Sequence, residues 1–158
     1  MNVIGIDPGL ARCGYGVIRV DRSGPEPVCY GCIETEKEKR TAARLLEIHT
    51  ALDVILETYQ PAQCAMEKLF FSKNITSAIN VAEVRGVVLL NMEMRRIPVT
   101  EYTPNQVKQA ITGSGRADKH QMQEMIRRLL RLAEVPKPDD AADALSIALC
   151  HIHTLRLP

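Results

Sequence analysis

The chain has 158 residues, 46% hydrophobic and 25% charged, with a formal net charge of +1; this is the balance of one globular domain spanning 1–158, large enough to bury a core without staples. No apolar run reads as long enough to span a bilayer, and the N-terminus enters a strand without a basic leader, so neither a membrane anchor nor a signal peptide is expected. Five cysteines at 13, 29, 32, 64 and 150, odd in number and mostly inside apolar stretches, suit reduced core thiols of a cytoplasmic protein rather than a disulfide framework.

The run Val3-Ile4-Gly5-Ile6 is short and rich in β-branched residues, and Pro8-Gly9 stops it, so it reads as a buried strand that delivers Asp7 to a turn. A carboxylate there either caps its own turn or faces a cation or donors, because desolvating it alone is costly. Cys13 to Val20 is a second strand whose glycines suit close approach to another backbone. Residues 21–25 read as a loop and Val28 to Thr35 as a third strand, completing an antiparallel meander. Leu45, Ile48, Leu52, Ile55 and Leu56 recur at spacings of three and four and predict a helix over Thr41 to Tyr59, ended by Pro61. Cys64-Ala65-Met66-Glu67 is then a strand that again ends on an acid.

Asn74 to Met94 carries two apolar stripes, Ile75, Ile79, Ala82, Gly86 and Leu89 on one side and Val81, Val84, Val88 and Met92 on another. This predicts a helix buried more than halfway round, with its second face serving either a subunit interface or the core of a monomer. Ile97 to Tyr102 is a further strand, Thr103-Pro104 starts a short helix to Ile111, and Asp118 to Leu132 is helical after a flexible loop. From Pro104 to Arg131, six basic residues (Lys108, Arg116, Lys119, Arg127, Arg128, Arg131) face two acidic ones (Asp118, Glu124). That stretch, with His120 beside it, is either a solvated face or a phosphate-contacting surface. The order βββαβαβ followed by helices implies an α/β fold, a mixed sheet with helices on both faces.

The last helix opens with Asp139, Asp140 and Asp143. Acids at a helix N-terminus are favoured by the dipole, but Asp140 and Asp143 also share a face, and the alanines at 141, 142, 144 and 148 let the helix lie close on a sheet. This would bring them beside Asp7 and Glu67. Converging carboxylates need cations, and an all-oxygen set points to Mg²⁺ or Mn²⁺ rather than zinc. Two such ions about 4 Å apart activate water and stabilise the leaving oxygen in an in-line attack on a phosphodiester.

Gly5-Ile6-Asp7-Pro8-Gly9 with Gly14-Tyr15-Gly16, Met66-Glu67 followed by Phe70, Gln106-Val107-Lys108-Gln109, and Asp140-Ala141-Ala142-Asp143-Ala144-Leu145 together resemble the RuvC family of Holliday junction resolvases over nearly the whole chain. The resemblance implies a ribonuclease H-like fold, a homodimer, and Mg²⁺-dependent paired nicking of a four-way DNA junction in recombination and repair, in the cytoplasm beside a branch-migration complex of the RuvA and RuvB type. It assigns Asp7, Glu67, Asp140 and Asp143 as catalytic and metal-binding acids. Where some members carry a His in the C-terminal pair, both residues here are Asp. Phe70 matches an aromatic said to stack near the crossover, with Phe71 adjoining it, while Lys108 and Lys119 match DNA-contacting residues. Arg116, on the flexible loop, is added as a phosphate contact on its charge alone.

Four other readings bear on these residues. Cys29 and Cys32 form a CxxC, with Cys150, His151 and His153 as distant possible zinc ligands, but residues three apart in a strand face opposite sides. Sugar kinases and actin-like ATPases share the opening motif but need two lobes. A nuclease acting on RNA and a junction-binding module without chemistry remain as alternatives, the latter gaining nothing from four acids that repel phosphate.

Overall fold

The structure, a computed structural model, describes residues 1–69 and 74–155. Strands β1 (Asn2–Asp7), β2 (Arg12–Asp21) and β3 (Gly24–Glu34) form the antiparallel meander, and β4 (Gln63–Glu67) and β5 (Val99–Tyr102) add to it in parallel. The sheet order is β3-β2-β1-β4-β5. β1 is therefore central, which is why it reads as continuously apolar. Pro25 and Pro27 lie on β3, an edge strand, where a missing ladder donor is tolerated. The expected loop over 21–25 is instead a tight hairpin in which Asp21 and Gly24 already pair and the Asp21 carboxylate accepts the Ser23 amide at 2.8 Å, so β3 begins four residues earlier than its apolar run.

Alternation along the strands divides the core into two layers. On one face Ile4, Ile6, Cys13, Val17, Cys64 and Met66 meet α1 (Thr41–Tyr59) through Ile48, Leu52 and Leu56, and α2 (Ile75–Met94) through Val84, Val88 and Met92. On the other, Val3, Ile18, Ala65 and Tyr102 meet α3 (Pro104–Thr112), α4 (Lys119–Leu129) and α5 (Asp139–Thr154). Reciprocal caps fix the starts of α3 (Thr103 with Gln106, and Pro104 in the first turn) and α4 (Asp118 with Gln121). α4 stops at Leu129 rather than Leu132, since Arg131 turns to positive φ.

Two sequence expectations about α2 are corrected. At 20 residues and mean hydropathy 1.2 it is, by length and composition, long and apolar enough to cross a membrane. It is also buried on one face only: Ile75, Ile79, Leu90 and Met94 are more than half exposed, and Leu89 is 41% exposed. Apolar content overstated its burial because the sheet can cover only one side. Glu83 and Arg85 interrupt the run, and Arg85 ties the helix to the sheet by donating to the Glu67 carbonyl at 2.8 Å and pairing with the Glu101 carboxylate.

The thiols divide as well. Cys13, Cys64 and Cys150 are buried, whereas Cys29 and Cys32 are only half-buried on β3. Burial pushes the Cys13 thiol up to about 12 and the Cys150 thiol up to about 11, so both stay protonated. His151 is buried with both ring nitrogens engaged, Nδ1 with Tyr102 Oη at 2.7 Å and Nε2 with Gln63 Oε1 at 2.5 Å. That leaves it no lone pair for zinc.

Candidate active site

The site depends on how closely α5 can approach the sheet. A Cβ on Gly5 would sit 2.1 Å from the Ala144 carbonyl, one on Gly14 would sit 2.1 Å from the Asp140 carbonyl, and one on Gly16 would meet Leu145 at 2.8 Å. Glycine on β1 and β2 and alanine on α5 thus form one backbone-to-backbone contact. Its consequence is positional: the first turn of α5 is laid across the ends of β1 and β2, where Asp7 pairs in register with Gly14.

Asp7 and Glu67 end neighbouring parallel strands and are both half-buried. The Asp7 carboxyl is pushed up to about 7, first by burial and then by Asp143, Glu67 and Asp140, with Lys119 pulling the other way. Burial and Asp143 raise Glu67, offset by Lys108. Asp143 is exposed by area yet crowded; desolvation raises it, Lys119 lowers it, and Asp140 and Asp139 raise it again. Mutual perturbation of this kind means that Asp7, Glu67 and Asp143 share one field, with Asp140 at its margin. Asp139, as the helical spacing predicts, points elsewhere, to Lys119 Nζ at 2.6 Å and Gln123 at 3.0 Å.

Lys108 and Lys119 join the acids, lining with Glu67 and Asp143 a cleft of about 260 Å³. A second cleft of about 320 Å³, lined by Asp7, Lys68 and Val81, meets it at Glu67. Arg116 is placed apart, on a separate hollow beside Tyr102, Gln106 and Cys150. Phe70 and its neighbour Phe71 lie outside the described residues. Arg12, which the sequence reading passed over, holds Asp140: its Nε lies 2.9 Å from Oδ2. Alternation from Gly14 and Gly16 puts Arg12 on the α5 face, but only the pairing of β2 with α5 reveals its partner.

The donor set fits a hard divalent cation, since it is all carboxylate and Lys119 offsets its crowding at Asp7 only in part. Among the described residues no three His, Cys, Asp or Glu side chains are arranged to hold an ion as they stand; Asp140 is turned toward Arg12.

Comparison with known proteins decides the family. A family model described as crossover junction endodeoxyribonuclease RuvC matches residues 3–151. The chain belongs to the RuvC family. RuvC of Pseudothermotoga lettingae is 51% identical over 151 residues, covering 96% of this chain and 93% of that protein. RuvC of Brevibacillus brevis is 53% identical over the same length, covering 96% and 91%. The structure of Thermus thermophilus RuvC in complex with a Holliday junction substrate superposes with a TM-score of 0.92 at 35% identity, covering 97% of this chain and 93% of that one. The fold is accordingly ribonuclease H-like, with its mixed sheet and helices on both sides, as the resemblance implied.

Proposed function

We propose that this chain, as a single RuvC domain, is a crossover junction endodeoxyribonuclease that nicks four-way DNA junctions in recombination and repair. The observation that carries this reading is the glycine-seated α5, which brings Asp143 into the field of Asp7 and Glu67 in a chain that matches RuvC over residues 3–151. Nucleases of this family are metal-dependent. In this chain Asp7, Glu67, Asp140 and Asp143 would hold Mg²⁺, or Mn²⁺ in its place, two ions per site. When bound, the metal supplies an activated water and charge stabilisation at the leaving oxygen.

The protein's own residues do the rest. Asp7 and Glu67 sit on strand ends whose main chains are locked in the sheet, so their carboxylates are placed before substrate arrives. Lys108 and Lys119, in the cleft beside them, draw the phosphodiester against the repulsion of the acids, and Arg116 and Phe70 extend the DNA contact. The exposed Ile79, Leu89 and Leu90 of α2 serve a homodimer, which presents two sites for symmetric nicks. Action in the cytoplasm beside a branch-migration complex completes the reading.

The test offers the purified protein a four-way junction, a linear duplex and an RNA–DNA hybrid, each with Mg²⁺ or EDTA. Paired nicking of the junction alone, and only with Mg²⁺, is expected. Equal cutting of all three substrates would sink the junction assignment, and preferential cutting of the hybrid would favour a nuclease acting on RNA.

A further inference from the structure

Two cations are tied up at the start of α5, side by side. Lys119 Nζ is held by Asp139 at 2.6 Å and Arg12 Nε by Asp140 at 2.9 Å. Together with Lys137, and with the carboxylates of Asp139, Asp140 and Asp143, they line a single cleft of about 550 Å³. Three basic side chains around one opening are what a phosphodiester backbone requires, and what the neighbouring carboxylates alone would forbid.

Arg12 is the informative member. It starts β2, with its backbone fixed opposite Glu34, and its side chain is 48% exposed. Besides Asp140 it reaches the Glu34 carboxylate, at a looser 3.4 Å, and the Cys32 thiol. A guanidinium offers a planar fork matched to phosphate oxygens, so an incoming phosphate competes on equal terms with a carboxylate for it. Asp140, meanwhile, comes last of the three acids that raise Asp7, although it also raises Asp143, and Arg12 engages its Oδ2.

We propose that Arg12 is a DNA-phosphate contact held in reserve by Asp140: a backbone phosphate entering the cleft takes over the guanidinium, and Asp140 is thereby released toward the divalent cation. The exchange trades one anion for another on the same cation; the phosphate brings one negative charge into the cleft while Asp140 stays in its lining, and the divalent cation that Asp140 then helps to hold would offset it. It makes DNA and metal binding mutually reinforcing, since each removes a competitor of the other. The inference rests on the nuclease reading above and names a residue that this reading does not use.

The experiment compares full-length wild type, Arg12→Ala and Arg12→Lys. Junction affinity is measured by fluorescence anisotropy in EDTA across a salt series, and Mn²⁺ binding without DNA is followed by electron paramagnetic resonance of the free ion. Arg12→Ala should lower the slope of log affinity against log salt by about one, with Arg12→Lys keeping it. The same Ala variant should bind Mn²⁺ about two- to fivefold more tightly, as removal of a half-exposed ion pair allows. Both results are required: an unchanged salt slope, or unchanged or weaker Mn²⁺ binding, overturns the exchange, whatever happens to turnover. Thermal melts control for the fold, and Arg12→Gln replaces Arg12→Ala if the latter melts early. Should the wild type show no preference for the junction over a duplex, the junction reading fails by itself, and the Arg12 comparison is then read on duplex DNA.

Discussion

Helices α5 and α2 are both apolar, both carry small residues, and pack on opposite faces of the same sheet, yet they are used differently. α5 is buried nearly throughout, because glycines on β1 and β2 remove the side chains that would hold it off. α2 meets ordinary strand side chains and α1, so one face, with Ala78, Val84, Val88, Asn91 and Met92, is covered and Ile75, Ile79 and Leu90 face outward. Apolar content is therefore a poor guide to burial, whereas complementary glycines on the opposing element are a good one. Under the proposed function the same contrast would separate chemistry from assembly: the tightly seated helix positions acids, and the half-covered one offers a surface.

The sharpest way to break this contrast is to add one methyl group to each helix contact. Gly5→Ala places a Cβ against the Ala144 carbonyl and the Ala148 amide; it should cost about 2–4 kcal/mol in urea unfolding and eliminate nicking. A near-neutral result would mean that α5 is not seated on the glycines. Removing an acid should do the opposite to stability. Because burial and its acidic neighbours push the folded Asp7 carboxyl up to about 7 from 3.8, the folded state binds that proton more tightly than the unfolded chain. The associated stability is present below about pH 4 and is lost as pH rises through about 7. In EDTA at pH 8, Asp7→Asn should thus be more stable than wild type by about 1–4 kcal/mol, with no gain at pH 4 and no cleavage at any pH. A gap independent of pH would remove Asp7 from a crowded anionic site.

On the α2 side, Ile79→Glu with Leu90→Glu should turn a dimer into a monomer in sedimentation velocity while leaving the circular dichroism spectrum unchanged. A dimer that survives both charges would place the interface elsewhere. The smallest effect belongs to Gly86, where a Cβ meets nothing within 4 Å. Gly86→Ala should stabilise the chain by about 0.5–1 kcal/mol through helix propensity alone. A loss instead would mean that a partner approaches this glycine closely, making α2 resemble α5 after all.

Much of this was legible in the chain itself. The strand ends at Asp7 and Glu67 follow from short apolar runs stopped by turn residues, and the shared face of Asp140 and Asp143 follows from helical spacing. The Thr103-Pro104 start was readable because capping is local. What escaped notice depends on contacts distant in sequence. Arg12 acquires its meaning from Asp140, 128 positions away in the numbering, and the separation of Arg116 from the acids follows from how α3 packs. The β2–β3 turn was missed because Pro25 and Pro27 look like loop residues until the strand is known to be an edge.

Arg85 gives the two helices' roles a mechanical link. Rooted in α2, it donates to the main-chain carbonyl of Glu67 and pairs with Glu101 on β5. Whatever docks on the outer face of α2 and tilts it would move the backbone that carries Glu67, so in the proposed homodimer the seating of a partner copy and the placement of this acid would share a lever. Were two copies to cut opposite strands together, this strut would tie the seating of one copy to the acid of the other only through these two bonds, from Arg85 to the Glu67 carbonyl and to Glu101.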